Sequence, residues 1–158
     1  MKKILFVCHG NICRSPMAEF IMKNMVAAAG SQAAVHIESA ATSSEEIGNS
    51  VYPPAARELA RHGISCEGKR ARRITAADFS SFDLIIVMES YNISNMRSLP
   101  VGGGKVWKLL DFAGCTAPGA ATPLAGGDIS DPWYHGNFSQ TYSEIEEGCK
   151  GLMHYLAL

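Results

Sequence analysis

The chain has 158 residues, and its 14 lysines and arginines nearly balance its 15 aspartates and glutamates, which gives a net charge of −1. This balance argues neither for binding to nucleic acid nor for binding to an anionic membrane surface, so a charged ligand would need local basic groups. No stretch approaches the ~20 apolar residues that cross a bilayer, and Met1-Lys2-Lys3 runs into a short apolar strand instead of a signal peptide. We therefore predict a single domain over residues 1–158, located in the cytoplasm, with no nucleic-acid or membrane partner.

The cysteines indicate the same compartment. Their number is odd and their positions are scattered: Cys8, Cys13, Cys66, Cys115 and Cys149. This pattern argues against a disulfide framework and is typical of proteins in a reducing compartment. No second Cys/His pair with metal-ligand spacing accompanies Cys8 and Cys13, so we expect no metal site.

The first predicted unit is a strand, a loop and a helix. Residues 4–7 form a continuous apolar run, and the segment that opens at Ser15-Pro16 carries apolar residues at helical spacing. Pro16 at the first helical position and Glu19 in the first turn suit a helix N-terminus, with its unpaired N–H groups and positive dipole end. The loop over residues 8–15 is therefore expected to face the start of a helix.

Further strands and helices follow in alternation. Residues 35–39, 84–88 and 106–110 are predicted strands, and residues 84–88 lack polar alternation, as strands buried on both faces of a parallel sheet do. Residues 53–61 are predicted to be helical up to the stop signal Gly63. A last helix carries the apolar stripe Tyr142, Ile145, Cys149, Leu152, Met153 and Leu156. The alternation predicts a parallel sheet with helices on both faces.

The loop Cys8-His9-Gly10-Asn11-Ile12-Cys13-Arg14-Ser15 has the composition of an anion cradle. The spacing between Cys8 and Arg14 lets the loop curl with its backbone N–H groups inward while the guanidinium reaches back across the mouth. Gly10 and Asn11 tolerate the left-handed backbone that a tight ring of amides requires. Parallel sheets bind ligands at the carboxyl ends of their strands, and this loop follows the first strand.

Cys8 is a candidate nucleophile in this setting. Inward amides, the helix dipole and the Arg14 guanidinium would stabilise a thiolate, and Arg14 can hold two phosphoryl oxygens bidentately. Ser15 can hydrogen-bond the sulfur and help it to leave in a second step. Two interpretations of Cys13 stay open: a small packing residue, or a partner that protects Cys8 by a reversible disulfide.

Asp131 is the candidate proton donor for a leaving group. It ends the segment 111–131, which is rich in alanine, glycine and proline, and loops longer than ~12–15 residues tend to be functional or disordered. Pro132 stiffens the turn, while Trp133 and Tyr134 can wall a pocket or stack on a phenyl ring. We therefore interpret the long segment as functional.

Residues 7–19, together with Asp131-Pro132-Trp133-Tyr134, resemble the low-molecular-weight protein tyrosine phosphatases. The likeness extends over nearly the whole chain and includes Ser39, Tyr52-Pro53-Pro54 and His62-Gly63-Ile64. It implies a three-layer α/β fold of the flavodoxin or Rossmann-like kind. Its four-stranded parallel sheet would have the strand order 2-1-3-4, with helices on both faces.

The resemblance also implies roles for single residues. Cys8 would form a phosphocysteine, Arg14 would bind the phosphate, and Asp131 would act first as acid and then as base for water. Asn11, Ser15 and Ser39 would hold the loop in shape. Phosphate and substrate contacts would come from His9, Gly10, Asn11, Ile12, Cys13, Arg14, Ser15, Trp133 and Tyr134. No cofactor is implied, and the expected partners are phosphotyrosine-containing proteins or small aryl phosphates, bound by a monomer or weak dimer.

Several positions depart from the family pattern. His9 lies where members often carry leucine or threonine, and Lys69 lies near the position of a loop-supporting histidine. Glu45 and Glu46 occupy the loop where some members place an aromatic pocket wall. We expect catalysis to survive these changes, whereas the substrate preference need not follow that of better-known relatives.

Other functions compete with this one. Arsenate reductases share the fold and loop but relay electrons through two further cysteines at close spacing, and the remaining cysteines here are far apart. Protein arginine phosphatases of the family usually carry threonine where Ile12 stands, so isoleucine favours phosphotyrosine. A module that binds phosphate without turnover would need neither Cys8 nor Asp131.

Four basic residues lie close together in the sequence: Lys69, Arg70, Arg72 and Arg73. They could steer acidic phosphopeptides toward the pocket, or they could form an ordinary solvated face. We favour the solvated face, because runs of charge are more often solvated than functional.

Overall fold

The protein is built around one parallel sheet, seen in a computed structural model that describes all residues 1–158. Its strands are β1 (Lys2–Cys8), β2 (Val35–Ala41), β3 (Leu84–Val87) and β4 (Val106–Lys108). They are hydrogen-bonded in the order β2-β1-β3-β4, and every neighbouring pair is parallel. The predicted sheet and its strand order are confirmed.

Six helices connect and cover the strands. They are α1 (Arg14–Ala28), α2 (Pro53–Arg61), α3 (Ala76–Ser81), α4 (Ser90–Ser94), α5 (Pro132–His135) and α6 (Phe138–Leu156). The range predicted for α2 is confirmed, and the apolar stripe predicted for the last helix lies on α6. No helix combines the length and the apolar character needed to cross a bilayer.

The sheet separates two hydrophobic cores. Successive residues of β1 point to opposite faces, so Ile4 and Phe6 belong to the larger core and Leu5 and Val7 to the smaller one. The larger core contains residues of α1, α2 and α6, and the smaller one contains Phe79 of α3. Helices therefore lie on both faces, which confirms the predicted three layers.

Helix α1 begins earlier than predicted. It starts at Arg14, so Pro16 is its third residue and not its first, and two residues of the anion loop belong to the helix. Proline is tolerated there because N–H groups of the first turn have no intrahelical acceptor. Glu19 also lies beyond the first turn, and its buried carboxylate serves side chains under the loop instead of the helix dipole.

Helix α6 packs unusually close to the segment that follows β4. A side chain on Gly151 would place its Cβ 1.7 Å from the carbonyl oxygen of Phe112, and one on Gly148 would meet Leu109 at 2.6 Å. Only glycine permits this approach. The contact fixes residues 109–113, where the long segment that carries Asp131 begins.

The sequence did not predict α3 and α4, which have only six and five residues. Helices this short show less than two turns of periodicity, so no pattern distinguishes them from loops. The fourth strand is shorter than the predicted 106–110, because Leu109–Asp111 turns into a 3₁₀ helix. This turn directs the chain away from the sheet edge.

Candidate active site

The anion loop lies between the end of β1 and the start of α1. Cys8, the last residue of β1, is almost fully buried, and its sulfur lies 3.0 Å from Ser15 Oγ. The backbone N–H of Ser15 also donates to this sulfur at 3.4 Å. Two hydrogen-bonding groups at the helix start therefore face the thiol, which is a setting that stabilises a thiolate.

Asn11 holds the loop from beneath. It is buried and has a left-handed backbone with φ of 58°. Its Nδ2 donates to Ser15 Oγ at 2.8 Å and to Ser39 Oγ at 2.9 Å, and its Oδ1 accepts from Arg72 N at 3.2 Å. Because Ser15 Oγ accepts this bond, its own proton can be donated to the Cys8 sulfur at 3.0 Å or to the Ala40 carbonyl at 3.4 Å, and the sulfur is the nearer acceptor.

Gly10 does not adopt the left-handed conformation predicted for it, since its φ is not positive. Its lack of a side chain serves a different purpose. A Cβ on Gly10 would lie 3.4 Å from Glu46 Cγ, which is tighter than most such contacts. Glycine here lets the segment of Glu46 approach the loop, whereas Asn11 alone makes the left-handed turn.

A buried ion pair extends the network below Asn11. Ser39 Oγ donates to Glu19 Oε1 at 2.6 Å, and Lys69 Nζ lies 3.1 Å from the same oxygen and 3.0 Å from the Ser39 carbonyl. Lys23 neutralises the other oxygen of Glu19 at 2.7 Å. Sequence reasoning missed this role of Glu19, because Ser39 and Lys69 come near it only when the chain folds.

Arg14 is held in place by acceptors from two other segments. Its guanidinium donates to Glu89 Oε2 and to the Ile129 carbonyl, both at 2.8 Å, and lies 3.3 Å from Asp131 Oδ2. It is only 1% exposed. Burial by itself would lower the pKa of Arg14, but the charges of Cys8, Glu89 and Asp131 raise it. Sequence reasoning missed Glu89, which follows β3 without a recognisable motif.

Main-chain contacts bring the segment 111–131 back to the pocket. Its first residue, Asp111, accepts hydrogen bonds from the backbone N–H groups of Lys108, Leu124 and Gly126 at 2.6–2.7 Å. Near its end, Ile129 N donates to the Met88 carbonyl at 2.9 Å, directly after β3. These bonds explain how a segment with little regular structure delivers Asp131 to Arg14.

Asp131 begins the short helix α5 and faces the pocket. Its Oδ1 accepts from Trp133 N at 3.1 Å as an N-cap, which leaves Oδ2 directed to Arg14. The Trp133 ring packs on Tyr52, with 4.7 Å between the ring centroids. Tyr134 is 85% exposed and lines the rim without covering it.

These side chains surround a pocket of about 230 Å³. The lining residues are Cys8, His9, Gly10, Ile12, Cys13, Arg14, Glu45, Glu46, Asp131, Trp133 and Tyr134. Nine of these eleven were sequence-predicted site residues, whereas the predicted residues Asn11, Ser15 and Ser39 are buried and do not line the pocket. Glu45 and Glu46, noted in the sequence only as departures, form one wall.

The other cysteines differ from Cys8. Burial, followed by the negative charges of Cys8 and Asp131, raises the pKa of Cys13 well above its ordinary value, so its thiol stays protonated. Cys66, Cys115 and Cys149 do not line the pocket. No group of three or more His, Cys, Asp or Glu side chains could hold a metal ion. Both interpretations of Cys13 remain predictions.

Comparisons with known proteins agree with this geometry. A family model described as low molecular weight phosphotyrosine protein phosphatase matches residues 3–158. YfkJ of Bacillus subtilis, a low molecular weight protein-tyrosine-phosphatase, is 37% identical over 97% of this chain and 94% of its own length. PtpA of Staphylococcus aureus (strain MRSA252) is 32% identical over 99% of this chain and 94% of its own.

Solved structures give the same result. The crystal structure of YfkJ matches 97% of this chain and 92% of its own with a TM-score of 0.85. That of SP-PTP from Streptococcus pyogenes, 36% identical, matches 97% and 91% with a TM-score of 0.80. The chain belongs to the low-molecular-weight phosphotyrosine protein phosphatases and is an enzyme, a protein-tyrosine-phosphatase. The predicted family and fold are confirmed.

Proposed function

We propose that the chain hydrolyses phosphotyrosine through a covalent intermediate on Cys8. The Cys8 thiolate attacks phosphorus, an S–P bond forms, and the bond from phosphorus to the tyrosine oxygen breaks. The carboxylic acid of Asp131 gives its proton to the leaving phenolate, so tyrosine departs neutral. The loop amides and Arg14 hold the equatorial phosphoryl oxygens during the transfer.

Water completes the reaction. The Asp131 carboxylate, now without its proton, takes one from a water molecule that attacks the phosphorus of the phosphocysteine. The S–P bond breaks, inorganic phosphate leaves, and Cys8 returns as a thiolate. The hydrogen bonds from Ser15 Oγ and Ser15 N to the sulfur stabilise this leaving thiolate.

One observation carries the proposal. Asp131, which is more than 100 residues away along the chain, lines the same pocket as Cys8 and Arg14, and its carboxylate lies 3.3 Å from the Arg14 guanidinium. A nucleophile, an anion-binding guanidinium and a carboxyl group thus surround one cavity. A protein that only bound phosphate would gain nothing from the thiol or from the carboxyl group, since a carboxylate repels the anion.

Two features support phosphotyrosine as the substrate. Ile12 lines the pocket, where the arginine phosphatases of the family usually carry threonine, and it offers the substrate an apolar surface. Trp133 and Tyr134 stand at the rim, where aromatic rings can pack against a phenyl ring. Phosphotyrosine-containing proteins and small aryl phosphates are therefore the proposed substrates.

Turnover of p-nitrophenyl phosphate by the native chain and Cys8→Ser tests the nucleophile. We expect the serine variant to lose activity by at least a factor of about 10³, because a serine hydroxyl at this site is not ionised. A phosphorylated Cys8 trapped by rapid quench would identify the intermediate directly. Comparable turnover by the two proteins would refute the role of Cys8.

A leaving-group series tests the acid. Asp131→Asn should slow phenyl phosphate and phosphotyrosine by roughly 10²- to 10⁴-fold, the range of general acid catalysis. p-Nitrophenyl phosphate should slow much less, because its leaving group needs no proton. Equal slowing of all substrates would exclude the acid role. The same panel, extended to phosphoarginine and arsenate, separates this activity from the competing ones.

A further inference from the structure

The two walls of the pocket carry different chemistry. Trp133 and Tyr134 form an aromatic wall, whereas Glu45 and Glu46 line the pocket beside the anion loop, where Glu45 contacts His9 and Glu46 lies next to Gly10. Phosphate binding alone does not explain this acidic wall, because two carboxylates near a dianion oppose its binding. The loop amides and Arg14 must offset the repulsion between these carboxylates and the phosphate. The function of the two glutamates therefore concerns another part of the substrate.

The acidic wall is fixed relative to the loop. Ser43 N and Oγ both donate to the His9 carbonyl, at 3.1 and 2.9 Å, and Tyr52 N donates to the Ile12 carbonyl at 2.8 Å. The glutamates therefore lie on a stretch that is tied to the anion loop at both ends. Glu46 also packs over Gly10, where a larger residue would crowd it.

Few cations compensate the acidic wall. Arg14, the cation at the base of the pocket, already faces Glu89 and Asp131. Glu45 is 68% exposed and has one close partner, His9 Nε2 at 3.1 Å, which is a counter-ion only when protonated. Glu46 accepts a hydrogen bond from the neutral amide of Asn49. The mouth of the pocket thus keeps a negative charge beside the aromatic wall.

The basic cluster at residues 69–73 does not reverse this charge. Lys69 is buried against Glu19, and Arg72 is paired with Glu38 and Asp78. Arg70 and Arg73 are exposed, but neither lines the pocket. Two of the four residues thus serve the structure, and the cluster is only partly the solvated face that we expected.

We propose that Glu45 and Glu46 select phosphotyrosine sites flanked by lysine or arginine and reject sites flanked by acidic residues. This inference rests on the proposed function, since it concerns the substrate of the same pocket. The phosphate enters the anion loop, the phenyl ring meets the aromatic wall, and the neighbouring side chains of the peptide pass the acidic wall. A cation there gains an attraction, and an anion there meets repulsion.

The expected preference is moderate. An exposed charge pair contributes roughly 0.2–1 kcal/mol, which corresponds to about 1.4- to 5-fold in an equilibrium constant. Two glutamates that attract the basic peptide and repel the acidic one should give a ratio of kcat/KM on the order of tenfold. The ratio should shrink as the salt concentration rises, because the distance over which exposed charges interact falls from ~10 Å at 0.1 M to ~3 Å at 1 M ionic strength.

Two phosphotyrosine peptides of equal length test the proposal, one with lysine and one with glutamate on each side of the phosphotyrosine. Their kcat/KM values are measured for the native chain, Glu45→Gln, Glu46→Gln and the double variant, at 50 mM and 500 mM salt. Glu147→Gln is the matched control, since Glu147 is exposed on α6 and does not line the pocket. Each protein provides its own ratio, so a general change in activity cancels.

At 50 mM salt we expect the kcat/KM ratio of the lysine peptide to the glutamate peptide to be about ten for the native chain and for Glu147→Gln. The ratio should fall below about two for the double variant, and the two single variants should have intermediate ratios. Equal turnover of both peptides by the native chain, or an unchanged ratio in the double variant, would overturn the proposal. A preference for the acidic peptide would instead assign steering to Arg70 and Arg73. Turnover of neither peptide would refute the proposed function itself, which is a distinct outcome.

Discussion

The two halves of the active site are held by different kinds of interaction. The anion loop rests on buried side chains, in a network that runs from Lys69 through Glu19 to Ser39 and Asn11. The segment 111–131 instead depends mainly on main-chain N–H groups that bind the half-buried carboxylate of Asp111, together with one buried bond from Ile129 N to the Met88 carbonyl. The geometry around Cys8, the proposed nucleophile, thus depends on the core, whereas Asp131, the proposed acid, is positioned by the folding of one segment.

This difference predicts where the site is sensitive. Removing one partner from a buried network leaves the others without a hydrogen bond in a region of low dielectric constant, which costs more than the bond itself contributes. Near the surface, water replaces a lost partner. Substitutions under the anion loop should therefore affect activity more than substitutions that support the segment 111–131.

The largest effect is expected for Asn11→Gly. Glycine keeps the left-handed backbone but removes an amide that donates to Ser15 and Ser39 and accepts from Arg72. The loop amides would shift relative to Cys8, and misplacement of ~1 Å can cost about 10²-fold in rate. We expect kcat/KM for phosphotyrosine to fall by about 100-fold. The far-ultraviolet circular dichroism spectrum of the variant should stay native, which shows that the loss is not due to unfolding.

Asn11→Ala is the companion variant for the backbone. Alanine loses the same amide and also strains the left-handed conformation, at a cost of roughly 1–2 kcal/mol. It should therefore unfold at lower urea than Asn11→Gly while showing a similar loss of activity. Near-native activity in the glycine variant would mean that the backbone, and not the network, sets the loop geometry.

An intermediate effect is expected for Lys69→Met. The change removes two contacts, to Glu19 and to the Ser39 carbonyl, but Glu19 keeps its ion pair with Lys23. We expect a loss of about 2 kcal/mol in the free energy of unfolding, the range for a buried group left without a partner. Because the network still reaches Asn11, kcat should fall less than in Asn11→Gly.

Lys23→Met is the matched control for this prediction. Lys23 pairs with the same carboxylate, but its side chain is 44% exposed, and water can take its place. Urea unfolding should show a loss below about 1 kcal/mol for this variant. Equal losses in the two variants would show that only the charge on Glu19 matters, and not the contact of Lys69 with Ser39.

The sequence predicted the anion loop better than its support. Cys8, Arg14 and their loop lie in one continuous stretch between a strand and a helix, so local spacing was informative. Glu19 was interpreted only as an acidic residue of the first helical turn and Glu89 was missed, because each meets its partner only when distant segments pack together. The start of α1 was misplaced for a related reason, since Pro16 fits several positions of the first turn.

The same limit applied to the segment 111–131. Its composition indicated a functional loop. No pattern showed that Asp111 would accept hydrogen bonds from three backbone N–H groups or that Ile129 N would donate to the Met88 carbonyl. Such contacts depend on the path of the chain in space. Asp131, the proposed acid, was recognised only because its Asp-Pro-Trp-Tyr context was distinctive.

The smallest effect is expected for Asp128→Asn, in the segment that carries Asp131. Asp128 accepts from Ser90 N at 3.1 Å and pairs with Lys108 at 3.2 Å. Burial raises the pKa of this carboxyl, but the hydrogen bonds and charge of Lys108, with the bonds from Ser90, outweigh it and lower the pKa below its ordinary value. Its stabilising contribution is therefore complete above the unfolded pKa of about 3.9 and is lost as the pH falls through the folded value.

Urea unfolding of the native chain and Asp128→Asn at pH 7, 5 and 3 measures this contribution. The side chain is 49% exposed, so we expect a loss below about 1 kcal/mol at pH 7 and pH 5. The gap should narrow at pH 3, because the native carboxyl then begins to take up a proton. A constant gap would assign the loss to altered geometry at Ser90. A fall in phosphotyrosine turnover as large as that of Asn11→Gly would contradict the proposed difference between the two halves of the site.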